Sequence, residues 1–129
     1  MIRLRTFAIL VTLGLFALAA GPLYAKPDTG IQLKASLVNR ERNAAQKAAV
    51  VRVEISGLAL VDPGTMGEGA MPGMGYIHYI LDNCPAVGSS DTNLSFWGLS
   101  PGPHTIRVVL VGNDHKPLGV EQTLDVTIP

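Results

Sequence analysis

From residue 31 onward the chain alternates. Ile31, Leu33, Ala35 and Leu37 are separated by Gln32, Lys34 and Ser36, and Val51, Val53 and Ile55 by Arg52, Glu54 and Ser56. A period of two marks an extended strand with one buried face, because successive side chains leave a pleated backbone on opposite sides. The spacing returns over residues 76–81 and briefly over 94–97. It returns again over 105–111, where Ile106, Val108 and Leu110 face one way and Arg107 the other. Over 120–128, Leu124, Val126 and Ile128 oppose Thr123, Asp125 and Thr127. Turn-forming residues separate these runs, and the Ala-rich stretch 43–49 has room for one helical turn. Six or seven short strands in about 100 residues predict an all-β domain over 26–129, an antiparallel β-sandwich of about seven strands.

The first 25 residues follow another rule. Arg3 and Arg5 precede an apolar run from Phe7 to Ala20, Gly21-Pro22 breaks it, and Ala25 offers a small residue for cleavage, with Ala17-Leu18-Ala19 a second such point. This is the pattern of a secretory signal peptide. The run falls short of the roughly 20 residues that span a bilayer. No cysteine follows it to carry a lipid. The expectation is an exported bacterial product, periplasmic or secreted, with no stable membrane anchor after cleavage.

Charge and composition then narrow the class. The whole chain holds 10 Lys and Arg against 10 Asp and Glu. Arg3 and Arg5 leave with the leader, so eight basic and ten acidic residues remain, a net charge of −2. Nucleic-acid binding needs clustered cations to displace counterions, and that function is not expected. The 14 Gly, nine Pro and 47% apolar content fit neither a disordered acidic tail nor a coiled coil. Cys84 is the single cysteine, so no internal disulfide forms and a monomer must be held by its core. Within the turn-like Asp82-Asn83-Cys84-Pro85 it reads as a buried small hydrophobe with no special role, with pairing to another chain as the alternative.

Catalysis has little support. There is no His-x-x-x-His pair and no Gly-Lys-Ser or Gly-Lys-Thr phosphate loop. An enzyme is not expected. Metal chemistry has more to offer. The three histidines are His78, on a strand whose Tyr76, His78 and Ile80 share a face, His104 at the start of the penultimate strand, and His115 after its end. His104 and His115 are separated by a run of about 10 residues, roughly 30 Å when extended, so His78 is expected to pair with one of them and not with both. Beyond the initiator, every methionine lies in one Gly-rich segment, as Met66, Met71 and Met74. Thioether sulfur favours Cu(I), and imidazole suits copper in either common oxidation state. The alternative for these methionines is an apolar edge or a partner contact.

Three resemblances add expectations. Leu99-Ser100-Pro101-Gly102-Pro103-His104 resembles the Leu-x-Pro-Gly corner of fibronectin type III sandwiches, with His104 where Tyr usually stands. This implies an immunoglobulin- or fibronectin-like fold and a structural imidazole bonded to nearby backbone. From Gly75 onward the chain resembles an uncharacterised class of exported bacterial proteins. Their pattern is Gly-His-x-His-Tyr-x-Leu-Asp, Leu-x-Pro-Gly-x-His-Thr-Ile and Asn-Asp-His-x-Pro-Leu. His78-Tyr79, Leu81-Asp82, His104, Asn113-Asp114-His115 and Pro117-Leu118 match it, and Tyr76 replaces the first His. The tail from Asp114-His115 to Asp125-Val126 is similar to that of periplasmic copper-resistance proteins of the CopC kind. That likeness implies Asp114 and His115 as Cu(II) ligands and Met66, Met71 and Met74 as Cu(I) ligands, although the acid and His are adjacent here and are one residue apart in that family.

Two functions follow as expectations. One is a non-catalytic metal handler, with copper held by His78, the Met segment, Asp114, His115 and His104 in varying parts. The other is a metal-free module whose Met segment and Trp97 contact another envelope protein or a glycan.

Overall fold

The alternating runs pair into two facing sheets. A computed structural model describes residues 30–65 and 72–129. The expected signal peptide over 1–25, together with Met66 and Met71, lies outside the described residues. Strands β1 (Gln32–Leu37), β2 (Ala49–Ser56) and β6 (Asn93–Phe96) form one antiparallel sheet in the order β1-β2-β6. The larger sheet contains β3 (Ala59–Leu60), β4 (Met74–Leu81), β5 (Val87–Ser89), β7 (Gly102–Gly112) and β8 (Pro117–Ile128). Its order is β3-β4-β7-β8, with β5 also on β4, and only the β3–β4 pairing is parallel. The three-stranded sheet packs on the five-stranded one, and the expected all-β sandwich is the fold observed.

Two local differences have physical causes. The helix, α1 (Arg40–Ala45), starts three residues before the Ala-rich stretch 43–49 and takes in Asn43, Ala44 and Ala45. Ala48 and Ala49 are buried, with Ala49 already part of β2, so these later alanines serve close packing. The short strands β3 and β5 were not anticipated, because two or three residues are too few to display a period.

The interior is filled from both sheets, by Ala35, Val51 and Val53 on one side and Ile77, Tyr79, Ile106, Val108, Leu110, Leu124, Val126 and Ile128 on the other. Each large side chain so buried contributes about 1.5–3 kcal/mol. Tyr79 carries a hydroxyl into this core. It donates to the Asp91 carbonyl at 2.6 Å, and burial, with the nearby Asp91 charge, pushes its pKa up to about 12. Along one seam a side chain replaces a missing strand. Gln122 of β8 accepts from the Ala35 N–H at 2.8 Å and donates to the Ala35 carbonyl at 2.9 Å, satisfying the edge of β1 turned away from β2.

The corner before β7 is held by His104, whose side chain is 10% exposed. Its Nδ1 lies 2.8 Å from Asp82 Oδ2 and its Nε2 2.7 Å from the Ser100 carbonyl. Asp82, at φ +52°, donates its N–H to the Thr105 carbonyl at 2.7 Å, and its Oδ1 accepts the Thr105 N–H at 2.9 Å. The imidazole thus bonds to nearby backbone as a corner tyrosine would, and adds a carboxylate. Carbonyl and carboxylate are both acceptors, so only the doubly protonated ring satisfies both. Accordingly the His104 pKa is raised, first by Ser100 and then by Asp82. That of Asp82 is lowered, first by the Thr105 N–H and then by His104.

Two predictions follow. Gln122→Leu strands a buried N–H and a buried carbonyl, and should lower unfolding stability by about 1–3 kcal/mol in urea, whereas Thr123→Val on the exposed face should change it by less than about 0.5 kcal/mol. For the corner, the raised pKa of His104 gives stability that is complete below about pH 6.5 and lost as pH rises through the folded value. The lowered pKa of Asp82 gives stability present above about pH 4 and lost as pH falls through its folded value. The stability difference between the natural protein and His104→Ala should therefore be greatest near pH 5–6, at about 1–3 kcal/mol, and shrink by pH 9. Equal differences at both pH values would refute the clamp, and comparison within this pair cancels the other histidines.

Candidate functional site

The β4–β7 register organises the opposite end of the domain. Tyr76 pairs with Val111 and His78 with Val109. Odd-numbered Ile77 and Tyr79 point into the sandwich, which leaves Tyr76, His78 and Ile80 on the outer face of the larger sheet. That face is not simply solvated. Tyr76 is 4% exposed and forms a small second apolar cluster with Val109 and Val111, against which Ile80 packs. Gly88 of β5 makes room for it, because a Cβ there would stand 3.2 Å from Tyr76 Cε2 and 3.5 Å from Pro63 Cγ. The β7 strand is therefore buried on both faces toward its C-terminal end.

Two imidazoles converge on the Tyr76 ring. His78, half-buried, meets it edge-on, with ring centroids 5.1 Å apart at 67°. His115 meets it from the β7–β8 turn at 5.9 Å and 70°, and its Nδ1 lies 2.9 Å from Tyr76 Oη. The turn is tight. The Gly112 N–H donates to the Lys116 carbonyl and the His115 N–H to the Gly112 carbonyl, each at 2.9 Å, while His115 adopts a left-handed φ of +67°. Burial, followed by the nearby His115, lowers the pKa of His78, and burial raises that of Tyr76. At neutral pH the His78 imidazole is uncharged and keeps a lone pair for an electrophile.

The candidate residues sort into three places. His78 and His115 come together around Tyr76, as the expected pairing of His78 with one other histidine required. Met74 and Asp114 line a neighbouring depression of about 150 Å³ with Ile31, Leu58 and Leu118. Asp114 Oδ1 also accepts the Lys116 N–H at 3.1 Å, and the Met74 carbonyl accepts the Asn113 N–H at 3.2 Å. His104 stands apart at the other end of β7, with both ring nitrogens taken by the corner. Cys84 is exposed in the turn after β4, beyond the end of that strand remote from Tyr76.

Tyr76 is the residue that sequence reasoning left out of the site. Its signal was present, since it shares a face with His78 two residues away and replaces a histidine of the resembled pattern. Among the described residues no three His, Cys, Asp or Glu side chains gather to hold an ion. The donors brought together are instead two imidazoles and a phenol, while Met74 and Asp114 line a depression of their own. No family model, curated protein or solved structure matches this chain.

Proposed function

We propose that this chain is an exported, non-catalytic metal-handling β-sandwich, periplasmic or secreted, with copper as its cargo. The observation that carries this reading is the meeting of His78 and His115, 37 positions apart in sequence, around Tyr76. Two imidazoles suit copper in either oxidation state, and the methionine segment that runs into β4 offers the soft sulfur that favours Cu(I). Met74 contributes to that segment from the first position of β4, with Met66 and Met71 before it. Asp114 is a hard oxygen donor on the same turn as His115 and suits the Cu(II) state. His104 lies outside the proposed site, because its nitrogens serve the corner. A module of this kind buffers or delivers the ion.

Copper titration followed by two-dimensional NMR, with and without reductant, tests the reading. Shifts or broadening should localise to residues 66–78 and 113–116 and saturate at one equivalent. His78→Ala and His115→Ala should each weaken binding at least tenfold, and Met71→Leu with Met74→Leu should weaken Cu(I) more than Cu(II). His104→Ala should lower stability and leave affinity unchanged. Weak, scattered effects removed by a modest chelator would eliminate the metal reading.

One observation favours the second reading, a metal-free interaction module for an envelope protein or glycan. Trp97, in the connection from β6 to β7, is 65% exposed, and large aromatic side chains are a common anchor of interfaces. Under that reading copper gives only the scattered response.

A further inference from the structure

The geometry points to Tyr76 as a positioning residue of the proposed metal site: its hydroxyl engages Nδ1 of His115 and thereby assigns Nε2 of that ring to the metal. This rests on the metal reading above and adds which nitrogen binds and what holds it.

Tyr76 is placed to do this. Its ring is fixed between Val109 and Val111, with Gly88 leaving space along its edge. His115, by contrast, is an exposed turn residue whose ring would otherwise sample several rotamers. The contact between Tyr76 Oη and Nδ1 at 2.9 Å ties the mobile ring to the fixed one. His78 packs edge-on against the same phenol, so one ring orders both imidazoles.

The proton inventory explains why a hydroxyl suits this place. A neutral imidazole has one N–H donor and one lone-pair acceptor, and a phenol can both donate and accept. With the ring proton on Nε2, Tyr76 O–H donates to Nδ1, which is the arrangement expected of the metal-free protein. A metal that takes the Nε2 lone pair requires that proton to leave Nε2. It is accommodated on Nδ1, which then donates to Tyr76 Oη while the phenolic hydrogen turns away from the ring. The exchange moves one proton between the two nitrogens of the ring and releases none, and a hydrogen bond is kept in both states. Metal-binding histidines characteristically donate their other N–H to a fixed acceptor, and loss of that acceptor costs about 10–100-fold in affinity. The His104 corner differs, since the nearest partners of its ring nitrogens, the Asp82 carboxylate at 2.8 Å and the Ser100 carbonyl at 2.7 Å, can only accept, with the Ser100 hydroxyl farther away at 3.5 Å.

The test uses the ¹⁵N-labelled protein, long-range ¹H–¹⁵N imidazole spectra, and Cu(I) kept reduced by ascorbate. The metal-free protein should show His115 with its proton on Nε2. One equivalent of Cu(I) should perturb Nε2 and move the proton signature to Nδ1. Tyr76→Phe keeps the ring and removes the hydroxyl. It should give mixed His115 tautomers without metal and bind Cu(I) about 10–100-fold more weakly in competition with a coloured chelator. Metal at Nδ1 of His115 would overturn the inference and leave the copper reading standing, as would a Tyr76→Phe variant with unchanged tautomer and affinity. Absence of any Cu(I) response at His78 and His115 in the natural protein would overturn both. If Tyr76→Phe proves unfolded by its thermal melt, the nitrogen assignment in the natural protein decides.

Discussion

The register between β4 and β7 is the constraint on which both ends of the molecule depend. Seven consecutive pairs, from Gly75 with Gly112 to Leu81 with Ile106, fix it. At one end it carries Asp82 to Thr105 and His104. At the other it sets Tyr76 beside Val111 and thus below the turn that holds His115. A slip of one residue would send Ile77 and Tyr79 outward and Tyr76 and His78 into the core. Burying a half-filled imidazole while exposing Ile77 opposes such a slip strongly. The same hydrophobic pattern that selects the fold therefore also assembles the corner and the outer-face cluster.

The two ends use one residue type for opposite purposes. His104 faces two acceptors, which favour the imidazolium and leave no lone pair for a metal. His78 is partly desolvated and close to a second histidine, both of which favour the neutral ring. His115 faces a hydroxyl, which tolerates either tautomer. The structural histidine and the proposed metal ligands are distinguished by what their partners can donate, not by their burial alone.

The outer cluster gives the proposed site a rigid floor. A sheet face normally left to water is here covered at Tyr76, Val109 and Val111. Residues presented from a packed strand are positioned more sharply than residues on a loop, which suits a site needing two rings in fixed relation. Elsewhere the sandwich closes its open seam with the two hydrogen bonds of Gln122, so β1 needs no further strand.

The alternation of apolar and polar residues by itself determined the sandwich. Four of the six runs it marked lie wholly within strands, while Ile31 falls one residue before β1 and Trp97 just past β6. The Pro-Gly corner was legible too, because its backbone demands are local and its bonding partner Ser100 lies four residues from His104. The very short strands were not legible, since they depend on β4 being available as a partner. Nor was the choice of His115 over His104 as the neighbour of His78, beyond the argument that extended length kept those two apart. That choice follows from antiparallel pairing, which brings the start of β4 to the end of β7. The burial of Tyr76 was likewise a tertiary decision. Its side chain alternates outward by period, and the Val109–Val111 cluster, the rings of His78 and His115 and the close approach of Gly88 turn an exposed position into a buried one. Local spacing encodes which face a side chain takes. What covers that face is set by segments distant in the chain, and no period records it.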